Sequence, residues 1–152
     1  MTRTPEEAVR GLWRQVATRD FSSLGDWVTE DCIYIDMPVG QTLAARGPID
    51  IGKRLNVGFA DLASYDNHDG LLVSNGDDVM YEHSETWVFK TGETFTLPFA
   101  TVHRVRDGKV CLWKDYWDYG AIMNNAPAEW VEGLASADVS WVYDATADLA
   151  VD

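Results

Sequence analysis

Five polar residues stand at alternating positions in strand-like, aromatic-rich stretches: Tyr34 and Asp36, His83 and Glu85, and Asp115. Successive strand residues point to opposite faces, so the neighbours two positions away share each group's surroundings. In residues 109–118 one face reads Cys111, Trp113, Asp115, Trp117, and the other Val110, Leu112, Lys114, Tyr116. The lysine marks the second face as the wetter one, so Asp115 is expected to point inward between two tryptophans. In residues 78–89, Tyr81, His83, Glu85, Trp87 and Phe89 share a face. Cys32, Tyr34 and Asp36 do so in an earlier strand, and Phe95, Leu97, Phe99 and Thr101 in a later one. A carboxylate among indoles is costly to ionise unless it is partnered. Three in one apolar hollow cannot all ionise, and desolvation and like charge drive at least one upward. Such a set separates a proton donor from a proton acceptor without a metal. A histidine among them can bridge the acids and carry the compensating positive charge. Taken singly, each group also fits a plain structural role, a buried Asp or Tyr with its hydrogen bonds satisfied. The convergence of three strands is what points to chemistry. His68, in a polar stretch, and His103, near a strand end, are read as structural. No ligand spacing among His83 and the acids supports a metal site.

The elements that must position these groups are marked by local signals. Thr4, Pro5 and Glu7 form the start of a capped helix, and Ala8, Val9, Leu12, Trp13, Val16 and Ala17 give it one apolar face. Ser22 or Ser23 can cap a short second helix with Leu24, Trp27 and Val28. Residues 31–37 read as a strand stopped by Pro38 and Gly40, and Gly47-Pro48 opens a third helix over 48–60. Four strands follow, at about 63–74, 78–89, 93–105 and 109–118, separated by Asn75-Gly76-Asp77, Thr91-Gly92 and Asp107-Gly108. Pro98 predicts a bulge or an unpaired position in the third of them. Helices followed by an antiparallel meander are an α+β pattern, with the sheet curved over the helices around a pocket. In residues 124–152 a helix with Trp130, Val131 and Leu134 and a strand at 139–143 are expected. This extension of the same domain can cover the pocket mouth, pack on a partner subunit, or fray.

The chain has 152 residues, which suits one domain. Its 12 basic and 25 acidic residues give a net charge of −13, which disfavours nucleic acid and anionic membranes as partners. No apolar run reaches the length of a membrane span. The N-terminal residues turn acidic at Glu6 and Glu7 and lack the apolar core of a signal peptide. Cys32 and Cys111 are too few for a disulfide framework and read as free thiols in a reducing cytoplasm.

The stretch Tyr34-Ile-Asp-Met-Pro38, Gly47 before a helix, and Asp107-Gly-Lys-Val-Cys-Leu-Trp-Lys-Asp-Tyr-Trp-Asp118 resemble limonene-epoxide-hydrolase-like proteins. These belong to the nuclear transport factor 2 superfamily, with the SnoaL-type polyketide cyclases and the ketosteroid isomerases. The resemblance spans about residues 5–123. It implies a cone-shaped α+β barrel over residues 1–123, a cystatin-like roll whose curved, mostly antiparallel sheet wraps three N-terminal helices. It also implies a homodimer without a cofactor. In the hydrolases a carboxylate on the last strand, with a Tyr and an Asn on the first, activates water. A second Asp protonates the epoxide oxygen, and an Arg holds both carboxylates. Asp115 matches the water-activating carboxylate and Tyr34 the tyrosine. Asp36 stands for the Asn, His83 for the Arg and Glu85 for the acid Asp. Without a one-residue shift in the hairpin, Glu82 and Ser84 take the last two places. Asn to Asp adds a charge, and Arg to His removes the planar fork that clamps two carboxylates. The expectation is a hydrolase-like enzyme that opens an epoxide in a hydrophobic small molecule, the alternatives being a cyclase, dehydratase or double-bond isomerase, or a non-catalytic binding module. Trp87, Phe99, Trp113, Trp117, Tyr81, Leu97 and Met37 are expected to contact the substrate.

Overall fold

The first helix, α1 (Pro5–Thr18), forms because its start is closed on both sides. The Glu7 N–H donates to Thr4 Oγ1 at 3.2 Å, and the Thr4 N–H donates to the Glu7 carboxylate at 2.9 Å. Ala8, Val9, Leu12, Trp13 and Val16 are buried, as their spacing predicts. The computed structural model describes residues 2–149. A 3-10 turn at Phe21–Asp26 takes the place of the expected second helix and leads into β1 (Val28–Asp36). A short strand, β2 (Ala44–Arg46), precedes α2 (Gly47–Phe59).

The predicted strand at 63–74 is two strands, β3 (Leu62–His68) and β4 (Leu72–Asn75), which pair with opposite ends of β5 (Asp78–Phe89). Then come β6 (Thr94–Arg106) and β7 (Lys109–Trp117). Among the described residues the sheet has eight strands in the order β3-β5-β6-β7-β1-β2-β8, with β4 beside β5. It is antiparallel except where β1 lies parallel to β7. This curved, unclosed sheet with helices in its concave side is an α+β roll.

Two local expectations are resolved. Pro98 makes no bulge, since it faces Ser84 in unbroken register with β5, but it is unpaired on its β7 side, one residue beyond the last β6–β7 pair, Phe99 with Trp117. A missing N–H therefore costs no ladder bond on that side. The bulge lies instead at Cys111, because Val105 pairs with Val110 and Arg104 with Leu112. The extra residue resets the alternation, so Val110 rather than Cys111 is buried alongside Trp113 and Asp115.

The C-terminal segment is docked. It contains α3 (Tyr119–Met123), α4 (Ala128–Gly133) and β8 (Val142–Tyr143), which pairs with β2. Ala145 is fully buried with Ile35 and Ala44 in a second apolar cluster on the outer side of β1. Its residues Trp130, Leu134, Trp141 and Val142 line the cavity, so the segment covers the pocket mouth. Among the described residues no helix is long and apolar enough to cross a membrane.

Candidate active site

The register of β1 against β7 builds the centre of the site. Tyr34 lies opposite Trp113 and Asp36 opposite Asp115, so two carboxylates and a phenol meet on the concave face. The Tyr34 hydroxyl is 3.0 Å from Asp36 Oδ1 and 3.2 Å from Asp115 Oδ2. Trp113 Nε1 donates to Asp115 Oδ1 at 2.5 Å, and Trp117 Nε1 donates to Asp36 Oδ1 at 2.9 Å. The remaining oxygen of Asp36 is 2.5 Å from Arg54 Nη2, a largely buried ion pair reaching over from α2.

Proton counting then narrows the resting state. A phenol has one hydrogen to give, and this one faces two acids. If it donates to Asp36, the carboxylate paired with Arg54, Asp115 must donate to it in return. Burial, reinforced by the charges of Asp36 and Glu85, drives Asp115 well above the usual carboxylate range, in agreement with a neutral acid there. Burial likewise raises Tyr34, so the phenol keeps its proton.

Glu85 is the third acid. It is 2% exposed, and burial pushes it up to about 8 against the opposing pull of Trp87 Nε1, which donates to it at 2.9 Å. The Tyr65 hydroxyl stands close enough to influence Glu85 but makes no well-formed hydrogen bond. Glu82 is exposed and Ser84 half-buried, so the inward pair on β5 is His83 and Glu85.

These groups open into one cavity of about 280 Å³. Tyr34, Asp36, Glu85 and Asp115 border it, with Trp87, Phe99 and Trp117 among its walls. Other expected site residues stand elsewhere. His83 does not border the cavity: its ring is stacked on Tyr81 and Phe99, with centroids at 4.7 and 5.4 Å, and abuts Trp13 at 4.2 Å. Neither of its ring nitrogens has a hydrogen-bond partner, and burial lowers it to about 4. A neutral imidazole there neither bridges the acids nor carries the positive charge; Arg54 carries it. Trp113 supports Asp115 from behind, Leu97 is core, and Met37 packs on the far side of β1. Tyr81 turns its hydroxyl to Asp69 at 2.6 Å, away from the cavity. His103 is structural, accepting from Trp13 Nε1 at 3.1 Å.

Sequence reasoning passed over Arg54, and it offered the C-terminal segment as a cover for the pocket mouth without naming the residues that line it. Arg54 had a signal: it falls on the same helical stripe as Ile51, Leu55 and Gly58, all buried. A cation on the buried stripe of a helix calls for an anion opposite. Trp130, Leu134 and Trp141 close the outer end of the cavity, and no local pattern revealed that.

Among the described residues no group of three or more metal-ligating side chains is placed to hold an ion. The arrangement can give a proton at Asp115 or Glu85 and can shift one through Tyr34 to Asp36.

No curated protein matches the chain. Among solved structures it is similar to an epoxide hydrolase of the limonene-epoxide-hydrolase-like type from M. tuberculosis, at 17% identity and a TM-score of 0.65, over 85% of this chain and 92% of that one. A Catenulispora acidiphila protein with a ketosteroid-isomerase-like fold, in complex with trimethylamine, shares 23% identity at a TM-score of 0.71, over 84% and 98%. A SnoaL-like polyketide cyclase, so described, from a Jannaschia species shares 18% at 0.71, over 82% and 92%. These likenesses show the ketosteroid-isomerase-like fold. The model of the SnoaL-like domain matches residues 9–113, from α1 through to the strand that carries Asp115, and by that match the chain belongs to the SnoaL-like family of the nuclear transport factor 2 superfamily.

Proposed function

We propose that the protein is a cofactor-independent acid–base enzyme acting on a hydrophobic small molecule, and that its reaction is the opening of an epoxide. The observation that carries this reading is the meeting of Asp36 and Asp115 at the Tyr34 hydroxyl, in an apolar cavity that is also bordered by Glu85, a carboxyl that burial pushes up to about 8. The pair holds one proton and one charge. When the proton of Asp115 passes through Tyr34 to Asp36, the charge appears on Asp115. Asp115 then takes a proton from water or from a hydroxyl of the substrate, and that oxygen attacks an epoxide carbon. The carbon–oxygen bond of the ring breaks, and the released oxygen takes the proton of Glu85. Turnover leaves the pair one proton richer and Glu85 one poorer, and exchange with water resets both. Each acid–base role is worth about 10²–10⁴-fold in rate. Trp87, Phe99 and Trp117 hold the apolar body of the substrate. We place the protein in a homodimer, as its resemblance implies; Met80 and Tyr116 expose apolar surface on the outer face of the sheet.

A second reading, a cyclase or double-bond isomerase, draws on the same neutral Asp115. A neutral carboxyl beside a phenol can hold a carbonyl oxygen as it gains charge. Asp36 is then the base, without His83, which stands outside the cavity. Incubation of hydrophobic epoxides and enones in heavy-oxygen water separates the two. Hydrolysis gives a diol carrying the label, and isomerisation gives an unlabelled product of unchanged mass. Absence of turnover across both panels, by protein that remains folded, overturns the enzymatic reading.

A further inference from the structure

The indole of Trp141, from the C-terminal segment, lies over the guanidinium of Arg54, with Cζ 5.3 Å from the ring centroid. Both residues border the cavity. Trp141 is 7% exposed, and its Nε1 donates to the Asp138 carbonyl at 2.5 Å, which fixes the tilt of the ring. The segment is held directly after this contact. Val142 pairs with Ala45 and Tyr143 with Ala44, and the Ala145 N–H donates to the Gln41 carbonyl at 2.9 Å. The same guanidinium reaches Asp36, with Nη2 2.5 Å from Oδ2, and Tyr34 and Asp115 stand close by. The other charged groups nearby, Asp138 and Lys53, lie on the outer side, where Lys53 pairs with Asp50 at 3.3 Å. Arg54 therefore touches both an aromatic face that belongs to the covering segment and a carboxylate that belongs to the reacting pair.

We propose that Trp141 is a positioning residue for Arg54, so that docking of the C-terminal segment over the cavity and formation of a dry Arg54–Asp36 ion pair are one event. With the segment docked, the indole keeps water from the guanidinium and the pair is strong. With it lifted, water reaches Arg54, the hold on Asp36 loosens, and the balance of charge between Asp36 and Asp115 changes. The cavity is thus poised for proton transfer when closed over a guest. This inference deepens the functional reading above, since it concerns the same acids, but its test needs no turnover.

The test is an NMR measurement of the Arg54 Nε–H group in the full chain, assigned by its loss in Arg54→Lys. In the wild type the resonance is expected to be shifted by the indole ring and slow to exchange with water. Trp141→Leu should remove the ring shift and speed exchange roughly five- to thirtyfold, the factor expected for a largely desolvated cation–aromatic contact. Trp141→Phe should keep most of both. Ala145→Asp, which keeps the indole but puts a charge where the segment docks against Ile35 and Ala44, should behave as Trp141→Leu does, and it carries the test if that variant does not fold. Unchanged exchange in Trp141→Leu or in Ala145→Asp overturns the proposal, as does equal loss in Trp141→Phe. If the signature behaves as expected while no epoxide or enone is turned over, the coupling stands and the reaction falls.

Discussion

Replacing Arg54 with Met gives a direct reading of how the acids are held. The side chain keeps its apolar stem and loses its charge, leaving Asp36 as a carboxylate only 6% exposed with no cation beside it. Removing one partner of a buried ion pair costs about 3–5 kcal/mol, because the other is left uncompensated. Arg54 itself is 16% exposed, and Trp117 Nε1 and the Tyr34 hydroxyl still face Asp36, so the lower end applies, about 3 kcal/mol. With a urea slope of about 2 kcal/mol/M, the unfolding midpoint at pH 8 should drop by about 1.5 M. Adding Asp36→Asn removes the stranded charge and should restore most of the loss at pH 8. A deficit below about 1 kcal/mol at pH 8, or no recovery when Asp36→Asn is added, refutes the assignment of Arg54 as the counter-charge of this pair.

Asp115→Asn keeps the shape of the group and should leave the melting temperature near wild type while turnover of a hydrophobic epoxide falls about 10²–10⁴-fold; full activity removes Asp115 from the mechanism. Glu85 is raised in the folded protein to about 8 from an ordinary 4.5. Its contribution to stability is therefore complete below about 4.5, declines as pH rises, and is gone above about 8, at no more than about 1.4 kcal/mol per pH unit. Glu85→Gln should flatten that decline in denaturation measured from pH 5 to pH 9, and the activity that needs its proton should fall as pH rises through 8 in the wild type. His83→Phe replaces an unpartnered imidazole by a ring that suits Tyr81 and Phe99, so stability should hold or rise by about 1 kcal/mol, with activity retained. A loss of activity at unchanged stability would return His83 to the mechanism.

The sequence made the site's inner faces legible wherever alternation ran undisturbed. Along β5 every second residue from Val79 to Phe89 is buried, so His83 and Glu85 were placed correctly on the inward side. Along β7 the rule failed at Cys111, because a bulge adds a residue without leaving a local sign. Facing the interior is also not the same as facing the cavity. His83 and Tyr81 point inward but meet Trp13 from α1, and where a helix plugs the sheet is a matter of tertiary packing that strand periodicity does not encode. Arg54 was missed for a related reason: its partner lies on another element 18 residues earlier, and nothing within α2 names it. The split of the 63–74 strand follows from Asp69 and Gly70. A Cβ at Gly70 would lie 2.1 Å from the Glu82 carbonyl oxygen, so the chain approaches β5 there too closely for any side chain.

The in-register parallel alignment of Asp36 with Asp115 has a bearing on how the protein assembles. The two residues are far apart along the chain, so their meeting belongs to the slow, non-local part of folding. An extended chain near neutrality carries both acids ionised, whereas the finished roll shelters an extra hydrogen ion between them. Completion of the sheet must therefore draw protons from the medium, and alkaline solution should hinder that last closure even though every strand-forming preference along the chain is unaltered.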